Sequence, residues 1–170
     1  MTTTTAIRTV GEVMTGEVLR VPETMSAGEL ATFLSEHEIS GAPVVDAQGR
    51  LVGVVSTADL ARLASEKVDW SGESRQSFYR TTPLDDEVMS ELYGLSELAE
   101  VAPEGSQTLV SDFMSPVIQS IDVATPIPEV ARVMLGGHYH RLLVTRDEDL
   151  VGIVTSMDLL ALLAENGGEG

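Results

Sequence analysis

The 170-residue sequence contains no cysteine, and Lys67 is its single lysine. Without cysteine there is no disulfide framework, no thiolate nucleophile and no cysteine-ligated metal site, which removes several classes of enzyme. Aromatic residues make up only 4% of the chain, against 43% for all hydrophobic types. The core must therefore be built from aliphatic side chains and methionine rather than from stacked rings, a profile that suits small α/β units.

Long apolar runs and positive charge are also scarce. No stretch is apolar enough to cross a bilayer, and the N-terminus lacks the basic and apolar regions of a secretory signal. Acidic residues number 27 against 10 basic ones, for a formal net charge of −17. Because such a surface repels phosphate backbones and anionic lipid, we predict no nucleic-acid and no membrane partner. The lack of a spanning run and of a secretory signal predicts a cytoplasmic protein. Two explanations of the acidic excess stay open: it serves solubility alone, or it is an adaptation to a salty cytoplasm, in which salt screens the repulsion between the acidic residues.

An internal repeat organises the chain. Residues 10–15 (VGEVMT) match residues 110–115 (VSDFMS) at an offset of 100 positions. One residue is missing from a turn in the second copy, after which Asp59 aligns with Asp158. Turns tolerate such deletions. We therefore divide the chain into a first repeat with its N-terminal arm (1–67), an insertion (68–107), and a second repeat with a short acidic, glycine-rich tail (108–170).

The sequence pattern predicts the order β-α-β-β-α in each repeat. In the first repeat, Ser26 and Glu29 form a capping box that opens a helix, and Gly41 closes the helical region. The other predicted elements of this repeat are a strand over Val18–Val21, a hairpin of Pro43–Val45 with Leu51–Val55, and a helix from Thr57 or Ala58 to about Lys67.

The second repeat has equivalent signals. Thr125 before Pro126 predicts a helix start with proline in the first helical position, and Gly136 with Gly137 predicts its end. The remaining elements are a strand near Ile118, hairpin strands over Leu142–Thr145 and Leu150–Val154, and a C-terminal helix. We predict an α/β (α+β) fold in which the two repeats pack as a pseudo-two-fold pair.

The insertion contains two polar loops around one predicted helix, which begins at Thr82 and Pro83. It is either a tether docked on its own module or a lid or partner-docking element that presents Trp70, Phe78 and Tyr79. Loops of this length often carry function.

One motif occurs twice in register with the repeat: glycine, an apolar residue, any residue, Ser or Thr, two further residues, then Asp. The copies are Gly53 to Asp59 and Gly152 to Asp158. With this motif, residues 10–67 and 108–166 resemble CBS-domain pairs, also called Bateman modules, and the insertion is left unmatched. The resemblance implies a regulatory module without a catalytic centre.

The position of the motif, where a strand runs into a helix, suggests a binding role. Backbone N–H groups and the positive end of the helix dipole favour an anion there. Hydroxyls of Ser56 and Thr155 can donate to a phosphate or sugar, and Asp59 or Asp158 can accept from ribose hydroxyls. In nucleotide-binding members of the resembled family the matching positions do this. The structural alternative is that Ser56, Thr57, Thr155 and Ser156 cap helices, and that the two Asp residues balance the dipole.

Two candidate pockets follow, and they differ at the start of the hairpin. The stretch Ser40 to Val44, which includes Ala42 and Pro43, is small and uncharged and resembles an adenine-cradling backbone. The stretch His140-Arg141-Leu142 is similar to the His-Arg-Leu-Pro of adenylate-sensing members, with Leu143 in the place of the proline. Arg141 is suited to phosphate oxygens, or alternatively to a salt bridge. The further candidate ligand-binding residues are Val18, Ser120, Ile121 and Val144.

The resemblance implies an adenosine-containing regulatory ligand: AMP, ADP, ATP, NAD or S-adenosylmethionine. Because the chain is strongly acidic, we expect AMP or cationic S-adenosylmethionine rather than ATP. A homodimer and an unidentified regulated protein are the expected macromolecular partners. The alternative function is a ligand-free dimerisation or interaction scaffold. An enzyme ranks last, because His138 and His140 without a third ligand do not specify a metal site. We expect no required cofactor.

Overall fold

The structure, a computed structural model, describes residues 8–64, 78–80 and 108–166. Within these ranges the chain forms two copies of one β-α-β-β-α arrangement. The first copy comprises β1 (Val21–Pro22), α1 (Ala27–Glu36), β2 (Gly41–Val45), β3 (Leu51–Ser56) and α2 (Thr57–Ala64). A short helix, α3 (Val110–Phe113), precedes the second copy, which comprises β4 (Ser120–Asp122), α4 (Ile127–Gly137), β5 (Arg141–Arg146), β6 (Asp149–Thr155) and α5 (Ser156–Asn166). The predicted mixed fold with two repeats is confirmed, whereas the predicted insertion helix lies outside the described residues.

Each copy builds a three-stranded sheet with the same topology. The first strand runs parallel to the second, and the second pairs with the third as an antiparallel hairpin, so the strand orders are β1-β2-β3 and β4-β5-β6. Both predicted hairpins are present. The pairing register shifts directly after Val44 in one sheet and directly after Val144 in the other. The two repeats therefore share the irregularity in strand pairing as well as the order of their strands.

The predicted cap of α1 is present. The backbone N–H of Ser26 donates to Oε2 of Glu29 at 2.9 Å, and the N–H of Glu29 donates to the Ser26 hydroxyl oxygen at 3.3 Å. These reciprocal bonds satisfy two N–H groups that the first turn of a helix would otherwise leave without partners.

The predicted boundaries of α4 and of the first strands are displaced. Helix α4 begins at Ile127 with Pro126, not Thr125, as its N-cap residue, and Pro126 makes no side-chain cap bond. The N–H of Thr125 instead closes a turn with the carbonyl of Asp122 at 2.9 Å. Strands β1 and β4 begin later than predicted. Their starts are set by the first residues that pair with the parallel strands β2 and β5, which are Val21 and Ser120.

The glycines predicted to end helices lie elsewhere. Gly137 is still helical, and the left-handed C-cap residue of α4 is His138, with φ 54°. Gly41 is the first residue of β2, five positions after Glu36, where α1 ends, and four after its C-cap His37. Helix ends are thus set by residues that lack the usual glycine signal.

The described residues fall into two compact units that cross the boundaries of the sequence repeats. The first unit contains residues 19–64, 78–80 and 108–118, and the second contains residues 8–18 and 119–166. Thus the arm before the first repeat (residues 8–18) packs in the second unit, and the arm before the second repeat (residues 108–118) packs in the first.

Backbone hydrogen bonds attach each arm to the third strand of its unit. Ser115 and Val54 exchange two N–H···O=C bonds of 2.9 Å, and Thr15 and Ile153 exchange two of 2.9 and 3.0 Å. Each arm also adds apolar side chains to a core. Val110 and Phe113 belong to the core of the first unit, and Val10 belongs to that of the second.

Candidate ligand-binding site

The serine or threonine and the aspartate of the repeated motif cap the last helix of each repeat. In the first repeat, the N–H and the hydroxyl of Ser56 donate to Oδ2 of Asp59 at 2.7 and 2.8 Å. In the second, the same groups of Thr155 donate to Oδ2 of Asp158 at 2.7 and 2.9 Å, and the N–H of Asp158 donates back to the Thr155 hydroxyl at 3.3 Å. The capping role considered from sequence is therefore present in both copies, and the ligand role stays a prediction.

The motif glycine has a packing role that sequence reasoning missed. A Cβ on Gly53 would lie 2.6 Å from the carbonyl oxygen of Ser115, and a Cβ on Gly152 would overlap the Met14 side chain and lie 3.0 Å from the carbonyl oxygen of Thr15. Only glycine lets the arms approach these strands so closely. The residues against these glycines are the Met-Ser pair 114–115 and the Met-Thr pair 14–15, which also reveal the repeat in the sequence. The Met-Thr/Ser pattern and the motif glycine are therefore the two sides of one packing contact.

The two aspartates differ in what their second oxygen does. Asp59 is 2% exposed, and its Oδ1 accepts from Arg62 at 2.7 Å. Burial raises the pKa of Asp59, although its bonds to Ser56 and the charge of Arg62 oppose the rise. Asp158 is only partly buried, and its Oδ1 accepts no hydrogen bond within the described part of the chain. Only the second repeat therefore presents a motif carboxylate with an unused acceptor atom.

Strand alternation divides the predicted residues of the second repeat between two faces of its sheet. Ile121, Leu142 and Val144 belong to the hydrophobic core beneath the helices, so their side chains are not available to a ligand. Arg141 and Leu143 alternate with them and point to the opposite face. The alternation of side chains along a strand, with a period of two residues, is the sequence signal that would have separated the core-facing residues from those on the opposite face.

The opposite face brings several of the other predicted residues together. Arg141 lies directly opposite Thr155 in the hairpin, and Ser120 on β4 lies beside Leu143. Helix α5 begins immediately after Thr155, with Ser156 as its first residue. A cation, a hydroxyl and the N-terminus of an 11-residue helix thus converge at one end of β6.

His140 and Arg141 form a coupled pair at this end of the sheet. Nε of Arg141 donates to Nε2 of His140 at 2.9 Å, and the carbonyl of His140 accepts from the N–H of Ser156 at 2.9 Å. Burial and the neighbouring guanidinium lower the pKa of His140 to about 4, so the imidazole is neutral at pH 7. Burial also lowers the pKa of Arg141, but an arginine remains charged.

The tautomer of His140 follows from this hydrogen bond. Because Nε2 accepts from Arg141, the ring proton resides on Nδ1. That Nδ1 is buried and has no hydrogen-bond partner in the described structure. A buried donor without an acceptor is uncommon in native proteins.

The equivalent part of the first repeat has the same backbone arrangement but different side chains. Ala42 and Val44 belong to the core, while Gly41 and Pro43 lie on the other face, with Gly41 opposite Ser56. The carbonyl of Ser40 accepts from the N–H of Thr57 at 2.9 Å.

Two further observations concern this first site. Val18 belongs to the second compact unit, in which its arm packs, whereas Ala42 and Pro43 belong to the first; the ligand role of Val18 stays a prediction. In contrast, Phe78 from the insertion packs against Gly41, with its Cδ2 2.9 Å from where a Cβ would lie. The aromatic composition of the insertion was the only sequence signal for this contact.

Neither a metal cluster nor a membrane span is found where the structure is described. No group of three or more His, Asp or Glu side chains is placed to hold a metal ion in residues 8–64, 78–80 and 108–166. None of the helices in these ranges is both long and apolar enough to cross a bilayer.

Comparison with known proteins identifies the family. The CBS domain model matches residues 10–66 and 110–165. The chain is 32% identical over 152 residues to the chloroplastic CBS domain-containing protein CBSX1 of Arabidopsis thaliana, covering 88% of this chain and 61% of that protein. This chain therefore spans less than two thirds of the length of that relative.

Solved structures agree on the fold. A crystal structure of CBSX2 in complex with AMP has a TM-score of 0.64 and 24% identity, covering 94% of this chain and 98% of that one. The CBS domain pair of protein MJ0100 in complex with 5′-methylthioadenosine and S-adenosyl-L-methionine has a TM-score of 0.60 and 20% identity, with 94% and 98% covered. With both repeats matched, the chain belongs to the CBS domain family and contains a tandem pair of CBS domains.

Proposed function

We propose that the chain is a regulatory, non-enzymatic module whose second repeat binds an adenosine-containing ligand. The observation that carries this proposal is the arrangement at the end of β6, where Arg141 lies opposite Thr155 and Oδ1 of Asp158 accepts no hydrogen bond from the described residues. The charge and the acceptor suit different parts of one nucleotide. A guanidinium matches phosphate oxygens, and a carboxylate matches paired ribose hydroxyls.

Each polar group has a distinct task in the proposed complex. Arg141 and the N-terminus of α5 attract the phosphate. Oδ1 of Asp158 accepts from the ribose, while Oδ2 stays bound to Thr155. The Nδ1–H of His140 offers a donor that no described residue of the chain satisfies. Ser120, which is exposed on β4, would contact the remainder of the ligand, whereas Leu143 beside it is fully buried.

The choice of ligand rests on relatives and on charge. AMP is bound in the CBSX2 structure, and 5′-methylthioadenosine and S-adenosylmethionine in that of MJ0100. This chain carries a net charge of −17, which disfavours highly charged nucleotides. We therefore rank AMP and S-adenosylmethionine above ADP, ATP and NAD. Binding would regulate a partner protein by favouring the conformation that holds the ligand more tightly.

Isothermal titration with AMP and with uncharged 5′-methylthioadenosine tests this function. Arg141→Ala should weaken AMP binding by at least about tenfold, since a charge-assisted hydrogen bond contributes about 1.5–3 kcal/mol. The same substitution should leave 5′-methylthioadenosine affinity within about twofold, because that ligand has no phosphate. Arg146→Ala removes an equal charge from the exposed end of the same strand and should affect neither ligand. Loss of AMP affinity in both variants would indicate only a general charge effect, against the proposed site.

A second function, assembly without a ligand, is supported by one surface. Met157, Leu160 and Leu163 of α5 are 68%, 53% and 67% exposed and recur every three residues along the helix. Such an apolar stripe is unusual on a highly acidic chain and suits a second copy of the module. Light scattering should report a homodimer that Leu160→Glu converts to monomer. Leu135→Glu, at a leucine 77% exposed on α4, is the matched control. If the wild type is monomeric, this proposal is wrong.

A further inference from the structure

Gly41 occupies the position in the first repeat that Arg141 occupies in the second. Gly41 lies opposite Ser56 in its hairpin, as Arg141 lies opposite Thr155 in the other. Both precede a residue of the helix-covered core, Ala42 or Leu142. Strand alternation therefore places both positions on the face turned away from that core.

An aromatic side chain from the insertion fills the space at Gly41. Cδ2 of Phe78 lies 2.9 Å from the position of a Cβ on Gly41. Phe78 is 2% exposed and Tyr79 is fully buried. Their rings meet edge to face, with centroids 5.0 Å apart and planes at 85°, a favourable aromatic geometry. Two buried aromatic rings therefore pack together near Gly41, at the start of β2, in a chain with few aromatic residues.

From this placement we infer that Phe78 blocks the adenosine site of the first repeat, so that the chain binds one ligand rather than two. The inference rests on the proposed function, because it takes the second repeat as the guide to where a ligand lies. The ring occupies the position where the second repeat presents its ligand-binding cation. Because Phe78 is part of the chain, a ligand must displace it to enter, and the free energy of its burial opposes binding there.

The nature of the blocked site follows from the same comparison. Gly41 supplies no charge where the second repeat has Arg141, and the adjacent motif carboxylate of Asp59 is already engaged by Ser56 and Arg62. A site opened by removal of the Phe78 ring should therefore accept an uncharged nucleoside in preference to a nucleotide.

Binding stoichiometry in the full chain tests this inference, with AMP and 5′-methylthioadenosine as probes. The wild type should bind one equivalent of 5′-methylthioadenosine per chain. Phe78→Ala should bind two, and should still bind a single equivalent of AMP. Phe33→Ala, which removes a partly buried aromatic residue of α1 from the same unit, should remain at one. Phe78→Leu, which keeps an apolar side chain at this position, should also give one and provides a control for folding.

The outcomes separate this inference from the proposed function. Two equivalents per wild-type chain, or one per Phe78→Ala chain that remains folded by circular dichroism, would overturn the inference and leave the proposed site intact. If the wild type binds neither probe but Phe78→Ala binds one equivalent of nucleoside, the proposed site is wrong and the block by Phe78 stands. If Asp158→Ala abolishes the single wild-type equivalent, both are supported.

Discussion

Asp158 accepts two hydrogen bonds from Thr155, at 2.7 and 2.9 Å, through a single carboxylate oxygen. Capping and the proposed ligand binding therefore call on different atoms of one side chain. A substitution that keeps one acceptor oxygen in the position of Oδ2 can preserve the cap while removing the negative charge and the second oxygen.

Asp158→Ala should lower the free energy of unfolding by about 1 kcal/mol, the usual cost of losing a helix cap. For a chain of this size that corresponds to about 2–4 °C in Tm. Asp158→Asn retains an acceptor for Thr155 and should lose less than half as much stability, yet it should weaken adenosine binding nearly as strongly as alanine does. Thermal unfolding and titration of both variants measure the two effects. Equal losses of stability would contradict the separation of roles.

Arg62→Met should destabilise the fold by about 3–5 kcal/mol at pH 8, because it leaves the buried carboxylate of Asp59 without its cation. Burial already raises the pKa of Asp59 above its usual range, and loss of Arg62 should raise it further. Relative to wild type, the loss of stability therefore accumulates as pH rises from the folded-state pKa of Asp59 in the wild type to its higher pKa in the variant, and it is constant above that value.

The Arg62→Met variant should therefore be less destabilised, relative to wild type, at pH 5 than at pH 8, as measured by urea unfolding. Asp59→Asn combined with Arg62→Met removes the buried charge and should recover part of the stability at pH 8. A loss that is independent of pH would show that packing by the Arg62 side chain, rather than charge, is what matters.

His140→Gln tests the neutral histidine. The pKa of His140 is lowered to about 4 in the folded state, against about 6.5 in an unfolded chain. The unfolded state therefore binds more protons between these values, and the wild type should lose stability relative to His140→Gln as pH falls from about 6.5 to about 4. Above pH 7 the difference should be constant. Chemical unfolding of both proteins across pH 4–8 gives the curve, and parallel curves would contradict the lowered pKa.

Gly53→Ala should destabilise the first unit by about 1–3 kcal/mol, because its Cβ would lie 2.6 Å from the Ser115 carbonyl oxygen and the arm would have to move. Gly136→Ala is the contrasting variant. A Cβ there meets nothing within 4 Å, and alanine in a helix is favoured over glycine by up to about 1 kcal/mol. The two substitutions should therefore shift Tm in opposite directions, and a shared sign would contradict the packing role of Gly53.

Local patterns predicted most of the fold. The bond between Ser26 and Glu29 and both hairpins depend on residues close in sequence, so their signals are complete in a short window. The start of β1 was misplaced because parallel pairing with Val44 and Val45 sets it, and no local residue reports that choice. Likewise, neither Thr125 nor Gly137 carries the information that fixes the two ends of α4.

For the candidate site, the sequence indicates residue types but not which of them lie together, and their ligand role stays a prediction. Arg141, Thr155 and Asp158 were identified by motif and are placed close together by the hairpin and the helix start. Leu142 and Val144 were included although strand alternation assigns them to the core. The contact of Phe78 with Gly41 joins segments 37 residues apart across the insertion boundary, and only the folded chain reveals it.

The crossed arms also set an order of events during synthesis. The first unit ends at residue 118, whereas the second requires residues 8–18 to meet a partner that ends near residue 166. On a ribosome the first unit therefore has all of its segments before any strand of the second sheet has emerged. The N-terminal arm is made before the first unit yet can pack only after the second sheet is made, and until then its apolar residues Val10, Val13 and Met14 lack the core that covers them.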